Sequence, residues 1–421
     1  MKVLLVTLGT DGDVLPFIGL GLALRERGHD VILLANEHYA DRVNGAVNFV
    51  PLGSKELHKC IINDPAFWDP KRLSSVVAEW GLSQMPAQFQ AIEAAYEPGR
   101  TVVVSPASVF GARIAQERLG VPLATVVLQP ALFRSTYRPA VMPGIPAIPQ
   151  WFPRFVKGAC LKGVDAAVNR ILVSRVSSYR RELGLEPLTG FVDWWMSPQR
   201  IIALFPDWFG KPQPDWPSQT RLTQFPMYDH RGASDLSSET RDFLGAGDPP
   251  IVFTPGTGVG HGHAFFRASV DACRRMGRRG ILLTPYREQL PTDRPDTVRH
   301  FDYVPFSQLL PNVAAIVHHG GVGTVSHAMA AGIPQLIMPS SYDQPDNARR
   351  VKELGVGDWI KPKSFHGPAI AGKLKRLLTS PDVQARCRTM ARQLRDQDAM
   401  SDACDLIEAL QKTAPPAYSG I

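Results

Sequence analysis

The sequence predicts an α/β protein of two domains, each an open parallel sheet flanked by helices. Three observations carry that prediction. Near-continuous apolar runs of four to eight residues recur in both halves, as strands buried on both faces of a parallel sheet require. Each run is followed by a helix-period segment and a glycine stop, the order of a strand and its crossover helix. The length, 421 residues, exceeds what one hydrophobic core serves and favours two.

In the first half, VLLVTL from Val3 reads as a strand. Phe17, Ile18, Leu20, Gly21, Leu22 and Leu24 then mark a helix that starts near Pro16 and ends at Arg25-Glu26-Arg27, with Gly28 beyond. Cations in the last turn and a glycine after it are what a helix terminus favours. VILLA from Val31 and TVVV from Thr101 are further strands, and a helix from Ser108 to Leu119, stopped by Gly120, leads into LATVVL from Leu123. The second half repeats the logic with IVFT from Ile251, ILLT from Ile281, AAIVHH from Ala314 and QLIMP from Gln335, its helices closed by Gly280, Gly332 and Gly355. Phe205 to Asp229, rich in Pro and Trp, lacks either periodicity and reads as the interdomain linker. The domains are accordingly set at 1–217 and 218–395. Two helices are expected from Pro381 to Gln411, broken near Asp396 to Ser401, and 396–421 forms a last helix and tail that could return to the first domain. Pro139 to Pro153, with five prolines, Trp151 and Phe152, is a long irregular excursion, either a binding element or a packing loop.

Composition excludes several classes. The net charge of +7 is spread over short clusters such as Arg274-Arg275 and Arg278-Arg279, without the long basic run interleaved with aromatics that nucleic acid requires. Five cysteines, 60, 160, 273, 387 and 404, show no CxxC or Cys/His ligand spacing and read as thiols in a reducing compartment. The apolar run after Met1-Lys2 is too short for a secretory signal and breaks at Asp11-Gly12-Asp13. The longest uncharged stretch, Tyr303 to Tyr342, is interrupted by Pro, Gly, Asn and His and cannot be a membrane span. A cytoplasmic protein is expected.

The most informative segment is Ala314 to Gly332, AAIVHHGGVGTVSHAMAAG. A strand ends at His318-His319, glycines 320, 321 and 323 permit close backbone approach, and a helix begins near Thr324. First-turn amides without partners, at the positive end of the helix dipole, bind anions, and a diphosphate fits. His319 and the Thr324 hydroxyl could add donors, with no need for a metal. Alternatively the glycines only make a tight turn and the histidines are core. Ser341-Tyr342-Asp343-Gln344, at the end of the next strand and so on the same carboxyl edge of the sheet, favours the binding reading. Asp343 and Gln344 offer the acceptors and donors that sugar hydroxyls need.

HHGGVGT followed by GIPQLIMPSSYDQPDNA resembles the donor signature of inverting GT-B glycosyltransferases, the group of sterol, glycopeptide-antibiotic and plant secondary-metabolite enzymes. The resemblance implies two facing Rossmann-like domains with a cleft between them. It implies that His319, Gly321, Gly323 and Thr324 meet the diphosphate, and Asp343 and Gln344 the sugar. Asp302-Tyr303-Val304-Pro305 is similar to the family element that receives the base, implying Tyr303 beside the pyrimidine and the Val304 backbone pairing with it. Plant members carry Trp where Tyr303 stands. Thr254-Pro255-Gly256-Thr257 resembles the turn that also approaches the phosphates, implying Gly256 and Thr257. His261 and His263, on the following loop, read as solvent-facing.

Gly9-Thr10-Asp11-Gly12-Asp13-Val14-Leu15-Pro16 resembles the family's G-S-x-G-D-V-x-P element, in which the aspartate deprotonates the acceptor. Inverting transfer needs one base near the acceptor oxygen, and an unperturbed aspartate, titrating near ~3.9, is ionised at neutral pH. Asp13 is therefore the candidate base, with Asp11 as the fallback; as a purely structural alternative, Asp13 is the N-cap of the first helix. A dehydrogenase is disfavoured, since Gly9-x-x-Gly12 is not G-x-G-x-x-G and Asn36 stands where an acidic ribose ligand is wanted.

Phe67-Trp68-Asp69-Pro70-Lys71, Gly111 to Ala115, Met196 to Gln199, and Leu204 to Pro217 resemble the rhamnosyltransferase chain of rhamnolipid synthesis. That implies a UDP-glucose or dTDP-rhamnose donor and an apolar or lipid-like acceptor; Thr10, Gly12, Phe110, Phe133 and Trp151 are the acceptor-side candidates, joined by Trp194-Trp195, and as a structural alternative the aromatic side chains are core, where such residues more often lie. Arg134, Arg138, Arg154 and Lys157, beside Trp and Phe, suggest peripheral membrane contact. The expectation is a metal-independent transferase acting on a nucleotide sugar and a small apolar acceptor. An epimerase or hydrolase on the same fold, or a silent sugar-nucleotide binder, is the alternative.

Overall fold

Every apolar run named above forms a parallel strand. The computed structural model describes residues 1–43, 45–64, 73–229, 236–259, 262–395 and 398–412. Seven strands make the first sheet: β1 (Lys2–Val6), β2 (Asp30–Ala35), β3 (Asn48–Pro51), β4 (Thr101–Pro106), β5 (Leu123–Val127), β6 (Arg200–Ala203) and β7 (Thr220–Leu222). Six make the second: β8 (Ile251–Thr254), β9 (Gly280–Leu283), β10 (Val298–Phe301), β11 (Ala315–His318), β12 (Gln335–Ile337) and β13 (Gly357–Trp359). The spatial orders are β3-β2-β1-β4-β5-β6-β7 and β10-β9-β8-β11-β12-β13. In each sheet the order reverses beside the first strand, between β1 and β4 and between β8 and β11. Open α/β sheets bind their ligands at the carboxyl ends of the strands flanking that reversal.

The cores explain the strand composition. Val3 to Val6, Val102 to Val104 and Leu123 to Val127 are buried with almost no polar alternation, because helices cover both faces of the sheet. Ile251 to Phe253 and Ala315 to Val317 do the same in the second sheet. Among the described residues no helix is long and apolar enough to cross a membrane.

The chain groups into two compact units. One holds Met1–Val141, Pro146–Pro226 and the chain from Asp398; the other holds Met142–Ile145 and Met227–Gln397. The change of unit therefore falls after Pro226 and not at 217. The segment read as a linker belongs largely to the first unit: it contains β7, and Phe205, Phe209 and Phe225 are each no more than 2% exposed. Proline had hidden an edge strand and aromatic packing behind a loop-like composition. The last helix, Ala399–Lys412, packs against the first helix, Asp11–Glu26, and against β4. There Arg27 pairs with Asp405 and Glu408, and His29 with Glu408 at 2.9 Å.

The first helix begins at Asp11, five residues before the expected start. Apolar spacing marks only the buried face, whereas the first turn is held by a polar capping arrangement. The excursion after Pro139 is irregular until the helix Arg154–Glu182.

Candidate active site

At the first reversal, β1 leads through Thr7 and Leu8 into Gly9, whose φ of +127° suits only glycine. A methyl group on Gly9 would lie 2.3 Å from the Asp13 Oδ2, so the turn and the carboxylate are in direct contact. Thr10 is the N-cap and Asp13 the third helical residue. The Thr10 N–H donates to Asp13 Oδ2 at 2.9 Å and the Thr10 hydroxyl to the same oxygen at 3.2 Å. Asp13 thus serves the cap from inside the helix and is not itself the N-cap. Burial raises its pKa above the ordinary carboxylate value, the Thr10 hydrogen bonds oppose that, and the Asp11 charge adds to it. Asp11 is committed elsewhere, in an ion pair with Arg42 at 2.8 Å. Tyr39 closes the turn from beneath, its hydroxyl donating to the Gly9 carbonyl at 3.2 Å. Gly12 is exposed.

At the second reversal, β8 leads to Gly256 (φ +103°) and β11 to His319 and Gly320 (φ +100°). The His319 ring lies between two glycines. A methyl on Gly256 would meet it at 3.0 Å, and one on Gly321 would meet Nε2 at 2.5 Å. Its Nδ1 is buried without a hydrogen-bond partner. Burial pushes its pKa down to about 4, so the imidazole is neutral at pH 7 and has one donor and one acceptor. The helix Val322–Ala330 starts here with Gly321 as N-cap, which brings no side-chain oxygen to its first-turn amides. Gly323 is exposed and Thr324 half-buried at this mouth.

His318, beneath, is fully buried and uses both ring nitrogens. Nδ1 accepts from the Gly320 N–H at 3.1 Å, which makes Nε2 the donor to Gln335 Oε1 at 3.0 Å. Burial and the neighbouring His319 push its pKa down to about 3. Its role is to fix the turn.

β12, next to β11, ends at the loop carrying Tyr342, the non-glycine residue with a left-handed φ (+54°) among those described. Gln344 shapes this loop, its Oε1 accepting from Ser340 N–H at 2.9 Å, Ser341 N–H at 3.0 Å and the Ser340 hydroxyl at 3.1 Å. Its carbonyl oxygen is thereby engaged within the protein and its amide nitrogen donates to the Ser341 hydroxyl at 3.4 Å, which leaves one N–H as its group toward a ligand. Asp343 is the N-cap of the helix Gln344–Leu354. His319, Gly321, Thr324, Asp343 and Gln344 thus share one sheet edge with Gly256 and Thr257.

Tyr303 follows β10, half-exposed, with its hydroxyl donating to the Asp229 carbonyl at 2.9 Å. The Val304 side chain is core. Asp229 is 5% exposed; its Oδ2 accepts the Ser307 N–H at 2.7 Å while Oδ1 has no partner. This carboxylate anchors the loop that carries Tyr303. Sequence reading missed it, because a lone aspartate after a proline-rich stretch has no spacing signal.

Several acceptor candidates take the core alternative. Phe110 packs edge-on against Phe191 at 5.1 Å, and Phe133 stacks on Trp216 at 4.2 Å, both in the core. Trp194 is also buried, its Nε1 donating to Glu117. Large aromatic side chains near a site are drawn into packing by the area they bury. Trp151 stands 80% exposed with its edge to Phe152. Of the four cations expected to face a membrane, Lys157 is buried, Arg134 pairs with Asp165 at 2.7 Å and Arg154 lies over the Tyr137 ring at 3.8 Å. What lies on the carboxyl edge instead is a small recess lined by Leu8, Asn36, Leu52, His58, Trp80 and Gln88, about 20 Å³ and so one water in size. Residues 67–71 and His261 lie outside the described residues; His263 is exposed.

Residues 3–137 match the glycosyltransferase family 28 N-terminal domain, and residues 281–409 the erythromycin biosynthesis protein CIII-like C-terminal domain. Glycosyltransferase GtfE of Amycolatopsis orientalis is 30% identical over 99% of this chain and 100% of its own length. Vancomycin aglycone glucosyltransferase of the same organism is 29% identical over 99% of both chains. The solved structure of spinosyn rhamnosyltransferase SpnG complexed with thymidine diphosphate has a TM-score of 0.68 at 20% identity, covering 98% of this chain and 100% of that one. With its two parallel-sheet domains, the chain belongs to the GT-B glycosyltransferases.

Proposed function

We propose that the enzyme transfers a hexose from a UDP- or dTDP-sugar, UDP-glucose or dTDP-rhamnose, to a hydroxyl of an apolar acceptor, with inversion and without a metal. The observation that carries this is the neutral His319 imidazole, held between Gly256 and Gly321 at the mouth of a helix, with a buried and unpartnered Nδ1. A diphosphate is the anion that satisfies such a ring together with first-turn amides. In this reading Gly256, Thr257, His319, Gly321, Gly323 and Thr324 hold the diphosphate, Tyr303 and Val304 the base, and Asp343 and the Gln344 amide the sugar.

The acceptor proton passes to Asp13, whose raised pKa makes it a stronger base than an ordinary aspartate. The acceptor oxygen bonds to the anomeric carbon on the face opposite the diphosphate, and the carbon–phosphate-oxygen bond breaks with its electron pair on the departing diphosphate. Amides and His319 receive that charge, the role a divalent cation fills elsewhere. An α-glucosyl donor gives a β-glucoside and a β-L-rhamnosyl donor an α-L-rhamnoside. The names of the relatives point to antibiotic-like aglycones as acceptors, and the rhamnolipid resemblance to 3-hydroxy-fatty acids.

A mass-spectrometric screen of UDP-glucose, dTDP-glucose and dTDP-rhamnose against glycopeptide and macrolide aglycones and 3-hydroxy-fatty acids tests the proposal. Glycoside is expected only when donor and acceptor are both present. Donor consumed without acceptor would make the protein a hydrolase or epimerase.

A further inference from the structure

One side chain joins the two turns of the donor site. Asn347, in the helix Gln344–Leu354, is fully buried, and its amide nitrogen donates to the Gly320 carbonyl at 2.9 Å and to Asp343 Oδ2 at 2.5 Å. Both partners are acceptors, so only the NH₂ end can face them and the orientation of the amide is fixed by chemistry. Gly320 belongs to the diphosphate turn and Asp343 to the sugar loop, and each turn contains a left-handed residue, Gly320 itself and Tyr342. Strained turns persist only when their surroundings over-determine them. The amide oxygen of Asn347 is buried without a donor, an unfavourable state that the structure keeps while both N–H groups are used.

We propose that Asn347 is a positioning residue that sets the spacing between the diphosphate cradle and the sugar-binding carboxylate, so that affinity for the sugar depends on it and affinity for the nucleoside diphosphate does not. The proposal rests on the donor-site reading above. Asparagine suits the position because a primary amide presents two N–H groups from one atom; aspartate presents none and would face Asp343 with a second charge, and serine presents one.

Titration calorimetry with dTDP, UDP and whichever of dTDP-glucose, UDP-glucose and dTDP-rhamnose the wild type binds tests it. In Asn347→Ala the affinity for sugar nucleotide relative to nucleoside diphosphate should fall about tenfold, with the nucleoside diphosphate held to within about threefold. Asn347→Asp, nearly isosteric, should do the same or more and serves if the alanine variant fails to fold. Asp343→Ala alone should lose the sugar preference, and adding Asn347→Ala should not enlarge that loss, because Asn347 acts on the sugar only through the Asp343 carboxylate. Equal losses for both ligand types, or additive losses in the double variant, would overturn the proposal and leave Asn347 a packing residue. A wild type that binds neither nucleotide would overturn the donor-site reading itself.

Discussion

The two strand-to-helix turns at the sheet reversals follow one plan and end in opposite electrostatic states. Each leaves a buried strand, bends at a glycine with positive φ and enters a helix. In the first, Asp13 bends back and places its carboxylate on the N–H of the N-cap Thr10, so the helix terminus holds an anion of its own. In the second, glycine caps the helix and the adjacent imidazole is neutral. The first turn is suited to taking a proton and the second to taking a phosphate. The two turns share a backbone plan, and the residue three positions past the first cap, Asp13, sets the difference in their charge.

The strongest way to break this contrast is Asp13→Asn, which keeps an oxygen for the cap and removes the base. Transfer should fall about 10²- to 10⁴-fold in kcat, with dTDP affinity unchanged by calorimetry. Because burial raises the Asp13 pKa, its contribution to stability is present when it is protonated and lost as pH rises through the folded value. The variant should therefore melt at the same or a higher temperature at pH 7. Unchanged kcat would shift the base to Asp11. His319→Ala should lower kcat about 10²-fold, and a loss confined to acceptor KM would remove His319 from the donor turn. Gly256→Ala crowds the ring and is strained at φ +103°; a loss of about tenfold in kcat/KM for the donor is expected from the displaced imidazole.

The pH dependence of stability sharpens the same comparison. His318 and His319 titrate at about 3 and about 4 in the fold, against roughly 6.5 unfolded. The unfolded chain binds more protons in that window, so stability is complete above about pH 6.5. It falls with acid by up to about 1.4 kcal/mol per pH unit per ring. Thermal melts between pH 7.5 and 5 should show it, and a His318→Asn variant should flatten the slope. The smallest expected effect is that of EDTA on transfer, which should be nil; recovery of lost activity by magnesium would replace the amide-and-imidazole account of the leaving group.

Strand positions were legible because burial on both faces leaves a run of apolar residues that needs no context. The glycine turns were legible too, since Gly256 and Gly320 stand at backbone angles that other residues avoid. Residues whose role depends on distant partners were not. Asp229 meets Ser307 and Tyr303 across more than seventy positions of sequence, and the stack of Phe133 on Trp216 turns an expected pocket residue into core. Gln344 is expected from sequence to offer acceptor and donor to a sugar, yet its side chain makes four hydrogen bonds within its own loop, a local geometry that composition does not encode. The expected linker, Phe205 to Asp229, contains the change of unit after Pro226 but is broader than it, because proline and tryptophan describe an edge strand and its aromatic cover as readily as a tether.

The helix Ala399–Lys412 packs on the unit that the first strand opens, so in chain order the larger segment of the second unit, Met227–Gln397, is flanked by segments of the first. During synthesis the second unit has all of its sheet available while the first still lacks the segment that covers its opening helix. The second unit should be able to mature first, and a released chain truncated after residue 397 should be protected from protease there while its amino-terminal half is still digested.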